Sequence, residues 1–159
     1  MAAGMRIKGL QGVQRALEHE IKKLRTPYYA LVGIHESAGV EPKSDGMTVA
    51  TLGAIQHFGN DDIPARRWLD TGAESGTKEY LETIREGIED GLTSRQIMVR
   101  VGVEAEDAIK QYINDLDTPP NKPSTIRKKG SSNPLIDTGN MRNSVTSTVV
   151  RKKPQEGME

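Results

Sequence analysis

Ile55-Gln56-His57-Phe58-Gly59-Asn60-Asp61-Asp62-Ile63-Pro64-Ala65-Arg66-Arg67-Trp68-Leu69-Asp70-Thr71-Gly72 holds the sole phenylalanine and the sole tryptophan of a 159-residue chain. Its reading sets how the elements on either side are joined. Residues up to Phe58 close a short apolar helix, Gly59 suits its end, and a polar acidic loop follows. Pro64 fixes the backbone and opens an extended arm presenting Arg66, Arg67, Trp68 and Leu69 in succession. Arginine and tryptophan are prominent among residues that anchor protein interfaces, so the arm from Ile63 to Leu69 is expected to dock on another protein. The competing expectation is that Trp68 and Leu69 fold back onto the chain's own core, as large aromatics commonly do.

Working back from this stretch, Leu52, Ile55 and Phe58 fall on overlapping turns of a helix that starts near Val49, and Phe58 reads as a core anchor. Residues 36–47 carry glycine, proline and serine with almost no apolar residue, which predicts a mobile loop. Tyr28 to His35 has the composition of a strand. Leu10, Val13, Leu17, Ile21 and Leu24 recur at three- and four-residue steps, which predicts an amphipathic helix over about residues 9–25, ended by Thr26-Pro27.

Toward the C-terminus, Ser75 or Thr77 caps a helix with Tyr80, Leu81, Ile84, Ile88 and Leu92 on its buried face and Glu79, Glu82, Glu86 and Glu89 on its wet one. Thr93-Ser94 opens another, whose stripe runs through Val101, Ala105, Ile109 and Ile113 to about residue 116. Residues 118–133 are proline-rich, then basic and glycine-serine-rich, and are expected to be flexible, with one turn of helix at 124–129. A capped turn follows, and Val145 to Val150 suits a strand pairing with Tyr28 to Ile34. Residues 151–159 read as a frayed tail. The expectation is one domain over 1–159, of the α+β class, with a small antiparallel sheet packed against two or three long helices, an extended arm and flexible loops.

With 35% hydrophobic and 28% charged residues, much of the chain must be surface, loop or interface. There is no cysteine, which excludes disulfides and thiolate chemistry and fits a reducing compartment. No run is apolar enough to span a membrane and the N-terminus lacks the apolar core of a signal peptide, so a soluble, unexported protein is expected. Net charge is zero but unevenly spread: residues 1–27 hold six basic and two acidic groups, 79–117 four and ten, 118–155 eight and one. A subunit with such opposed flanks suits a head-to-tail ring.

Catalytic constellations are missing. His19, His35 and His57 fall in different elements, and His57 with Asp61 and Asp62 falls short of a metal-ligand set. Thr138 and Ser144 have no activating base nearby in sequence, and no phosphate-cradling glycine loop or nucleophile elbow occurs. No catalytic residue, cofactor or metal is expected. An alternative to an assembly role is a nucleic-acid-binding module built on the basic C-terminal third, with Arg127-Lys128-Lys129 and Arg151-Lys152-Lys153 on phosphates. Neither run has interleaved aromatics, which weakens that alternative.

Two blocks, Ala54-Ile55-Gln56-His57-Phe58-Gly59 with Ile63-Pro64-Ala65-Arg66-Arg67-Trp68-Leu69, and Pro134-Leu135-Ile136-Asp137-Thr138-Gly139-Asn140-Met141-Arg142-Asn143-Ser144-Val145, occur in this order about an amphipathic helical region. Together they resemble the virion morphogenesis proteins of tailed bacteriophages, the tail-completion or head-tail joining (neck) proteins of the minor tail protein Z-like group. The chain departs from that pattern at His57, where an acidic residue is usual, at Arg67 for proline, at Trp68 for phenylalanine and at Met141 for leucine. The resemblance implies a non-enzymatic subunit in a homo-oligomeric ring of roughly six or twelve copies. Its partners would be portal or connector, adaptor or tail-tube proteins, with DNA passing through the ring without specific binding and no membrane contact. The chain would reside in the virion at the neck or tail junction, and in the host cytoplasm during assembly. By the same resemblance, Ile63, Pro64, Arg66, Arg67, Trp68 and Leu69 form the protein interface. Phe58, Gly59, Leu135, Asp137, Thr138, Gly139 and Met141 are then core or turn positions.

Overall fold

Alternating apolar and hydroxyl side chains let Val145–Val150 (β2) pair antiparallel with Tyr29–Ile34 (β1), in a register running from Tyr29↔Val150 to Ile34↔Val145. The computed structural model describes residues 10–42 and 44–151. Among these residues the sheet has two strands, and every other layer is helical. The predicted α+β architecture, a small antiparallel sheet packed against long helices, is the one observed. The tail at 152–159, including Lys152 and Lys153, lies outside the described residues, as does residue 9 at the start of the first predicted helix.

The central element is Ser94–Asp115 (α5), which packs one side on the sheet and others on Trp68–Ser75 (α3) and Thr77–Glu89 (α4). Its start is fixed by a capping box: the Thr93 side chain accepts from the Gln96 N–H while the Gln96 side chain accepts from the Thr93 N–H. Ile97, Ala105, Ile109 and Ile113 are the residues it buries. Helix α3 approaches it at Gly72, where a built Cβ would lie 3.1 Å from Ile109 Cα, so a side chain there would push the two helices apart. Ile109 and Ile113 join Val49, Trp68, Leu135, Met141 and Val145 in one core cluster. That core gathers residues from both ends of the chain.

Glu106 ties α5 to the sheet, accepting from Ser147 N at 2.7 Å and Ser147 Oγ at 2.8 Å, with Lys110 Nζ at 3.1 Å. Desolvation pushes its pKa up, but the Ser147 hydroxyl, Lys110 and the Ser147 N–H together outweigh this and hold it below the ordinary 4.5. A depressed folded-state pKa contributes stability that is present above the unfolded-state value and lost as pH falls through the folded one. Replacing Glu106 with glutamine should therefore lower stability near neutrality and flatten its decline below pH 4.5. Urea titrations of both proteins across that range check it; parallel pH curves would refute the tie.

Several expectations are corrected. Trp68 begins a helix of eight residues, α3, where an extended arm was expected to continue; only residues 64–67 before it lie outside helix, strand and turn. Phe58, at the end of Val49–Phe58 (α2), is 77% exposed and is not a core anchor. The 36–47 segment is tied down by a 3-10 turn at Glu36–Ala38, a bridge between Val40 and Thr48, and the buried side chain of Glu41. Residues 118–133 include the helical turn expected there, as Pro123–Lys129 (α6), ended by Gly130. The first helix, Leu10–Arg25 (α1), forms as predicted, yet Val13, Leu17, Ile21 and Leu24 of its apolar stripe stay exposed.

Candidate functional site

The two sequence blocks, far apart along the chain, meet at one cleft of about 240 Å³ whose walls include Glu41, Gln56, Lys129, Leu135, Asp137 and Met141. The first block reaches it through α2 and the turn that follows. Gly59 caps α2 with φ 74°, its N–H donating to Ile55 O, and a Cβ here would stand 2.6 Å from Ala65 N. Both facts demand glycine. The Asn60 side chain then accepts from Asp62 N and Ile63 N, closing the acidic loop and aiming Pro64 and Ala65 outward.

Arg66 turns inward. It is 3% exposed and donates from Nη1 to Gln56 Oε1 at 2.9 Å, from Nε to Pro119 O at 2.9 Å, and from Nη2 to Asn121 Oδ1 at 3.3 Å. Its acceptors are neutral, and burial pushes its pKa down, although an arginine remains charged in proteins. Trp68 is likewise 3% exposed, with Nε1 donating to Gly53 O at 3.0 Å. Leu69 packs against the core cluster. Arg67 is exposed and pairs with Asp70. The arm therefore divides by residue: Arg66 and Trp68 belong to the chain's own interior, while Pro64, Ala65 and Arg67 face outward beside half-buried Ile63. His57 stacks edge-on against both Phe58 and Trp68, and so stands between the exposed ring and the buried one.

The second block closes the cleft from the other side. Asn133 orders its entry: its Oδ1 accepts from Leu135 N at 2.9 Å and Ile136 N at 3.0 Å, and its Nδ2 donates to Ile113 O at 3.0 Å. Leu135 and Met141 are buried in the core. Gly139 adopts a left-handed conformation that starts the short helix Asn140–Asn143 (α7). Thr138 Oγ1 donates to Glu41 Oε1 at 3.1 Å and Asn140 Nδ2 to Glu41 Oε2 at 2.9 Å, so the buried carboxylate has a donor on each oxygen. Asp137 lies at the exposed rim. Glu41 went unnoticed in the sequence because its partners lie almost a hundred residues away.

Lys129 also turns toward the cleft, donating to Asn133 O at 2.6 Å. Burial pushes its pKa down, Asp137 pulls it up and Arg66 pushes it down again. The basic triplet at 127–129 is thereby split, with Arg127 and Lys128 exposed and Lys129 committed to the chain's own carbonyls. Among the described residues no group of three or more histidine, aspartate or glutamate side chains could hold a metal, and no helix is long and apolar enough to cross a membrane. His57 Nδ1 accepts from Leu69 N at 3.4 Å, while Asp61 and Asp62 stay exposed in their loop. Compared with protein-family models, curated proteins and solved structures, the chain matches none.

Proposed function

We propose that this chain is a non-enzymatic structural subunit of a tailed-phage virion, a neck or tail-completion protein that assembles with copies of itself in a ring joining head and tail. One observation carries the reading. The two blocks behind the resemblance fold into a single unit around one cleft, Arg66 of the first bonding the 119–121 segment and Leu135 and Met141 of the second sharing a core with Trp68. Residues that match one pattern at two distant places are thus parts of one structural device.

The contact surface in this reading is the outward half of the first block: Phe58, Pro64, Ala65 and Arg67. An aromatic ring left largely in water and an exposed arginine are residue types enriched at protein interfaces. Arg66 and Trp68 act from inside, fixing the direction in which that surface points.

The paired substitution Phe58→Ala and Arg67→Ala should leave stability within about 0.5 kcal/mol of the original, because both side chains are exposed. It should sharply reduce the yield of joined head-tail particles when it replaces the original chain during phage assembly. Electron microscopy of the lysate reads the outcome directly. Joined particles at the original yield would remove this surface from the proposal, and joined particles in the complete absence of the chain would remove the proposal itself.

A further inference from the structure

Among the described residues, the exposed apolar stripes of α1 and α4 lie on helices of opposite charge. The first is the stripe on α1: Val13 is 65%, Leu17 58% and Ile21 53% exposed. It spans about 16 Å from Val13 to Leu24 at 1.5 Å per residue. The second lies on α4, where Leu81 is 63% and Ile88 48% exposed, with half-buried Ile84 between them on the same side. α1 holds four basic and two acidic side chains, whereas residues 77–90 hold two basic and five acidic.

α1 stands on its C-terminal end. Lys23 Nζ donates to Gly91 O at 3.2 Å and Ser94 Oγ to Thr26 O at 2.6 Å, which fixes that end just beyond α4 and leaves the stripe off the chain's own Leu81–Ile88 face. A helix of 16 residues is marginal in water on its own, and most helical stability in proteins comes from packing an apolar face. This helix has such a face, and among the described residues nothing covers it. Pairing α1 with a second α1 would bring two net-basic helices together, and pairing α4 with α4 two net-acidic ones. Pairing α1 with α4 joins opposite charges over apolar stripes of compatible length.

We infer that α1 of one copy docks its Val13–Leu24 stripe on the Leu81–Ile88 face of α4 in the next copy. The two surfaces differ, so the contact is head-to-tail and each docked pair keeps one free α1 stripe and one free α4 face. Repetition makes a ring or a filament, not a closed pair. The contact rests on the proposed ring only for its closure, and it assigns the faces that would make the ring.

A mixing experiment with the full chain tests the assignment. One variant carries Leu17→Glu and Ile21→Glu, which spoils α1 alone; the other carries Leu81→Glu and Ile88→Glu, which spoils α4 alone. All four side chains are exposed, so the folded body is retained, and circular dichroism monitors it. By light scattering the original chain should form species larger than a dimer, each variant alone should be a monomer, and an equimolar mixture should give a dimer and nothing larger. A monomeric original chain, as when α1 closes on its own α4 or serves a foreign partner, overturns the inference. So does either variant assembling like the original, or a dimer of the α4 variant by itself, which would mean α1 pairs with α1. The two readings fail separately. Rings that persist in both variants reject this contact and leave the structural role standing; mixing as inferred, with joined particles forming in the chain's absence, rejects the role and leaves the contact.

Discussion

Trp68→Ala should destabilise the chain by about 3–5 kcal/mol, the usual cost of emptying a large aromatic site in a core. A domain of this kind has about 5–15 kcal/mol in total, so the variant should be close to unfolding at physiological temperature. The indole is part of the core cluster that also holds Val49, Ile109, Ile113, Leu135, Met141 and Val145, with Gly53 and His57 beside its ring. Its Nε1–H also satisfies Gly53 O, a helical carbonyl that already has a partner in α2, so the shape of the ring matters more than its donor. Trp68→Phe should accordingly lose far less than the alanine variant. Denaturant titration followed by far-ultraviolet circular dichroism measures both, since the substitution removes the sole tryptophan as a fluorescent reporter. A loss below about 1 kcal/mol for Trp68→Ala would mean that the site collapses freely and that the ring is not the centre of the core.

Arg66→Met should cost about 2–4 kcal/mol, because it leaves buried acceptors without donors. Gln56 Oε1, Pro119 O and Asn121 Oδ1 each lose a partner, and methionine offers volume but no N–H in return. Arg66→Lys should recover little: one ammonium cannot reach in three directions as a planar guanidinium does. The damage should be local as well as global. Hydrogen exchange should speed up selectively in residues 116–133, which Arg66 links to α2, and less in the β1–β2 pair. Uniform acceleration in both regions would contradict the assignment of Arg66 as the tie for that segment.

The helices with a repeating apolar pattern were legible in the sequence: α1, α2, α4 and α5 form where predicted, and β1 pairs with β2 as their composition suggested, although Leu81 and Ile88, expected on the buried face of α4, are exposed. α3 was not, because eight residues make barely two turns and its position depends on Gly72 meeting Ile109, a contact that exists only in the tertiary fold. Periodicity tells which residues share a face and nothing of what lies over it. Phe58 shares a helix with the core-facing Val49 and still points to solvent, and the α1 stripe is regular and bare. Buried polar residues were hidden for the opposite reason. Glu41 and Arg66 look like ordinary surface charges until Thr138, Asn140, Pro119 and Asn121 arrive from elsewhere to bond them.

The pairing of β1 with β2 also has a consequence in time. About 110 residues separate Ile34 from its partner Val145, so the first strand leaves the ribosome long before the second exists. At synthesis rates of about 5–20 residues per second the wait is roughly 6–22 s. Throughout it, both edges of β1 lack the strand that finally pairs with it, and α5 has no sheet to close over. The strand that completes the sheet is therefore translated long after its partner, and a nascent chain stopped before Val145 leaves β1 unpaired.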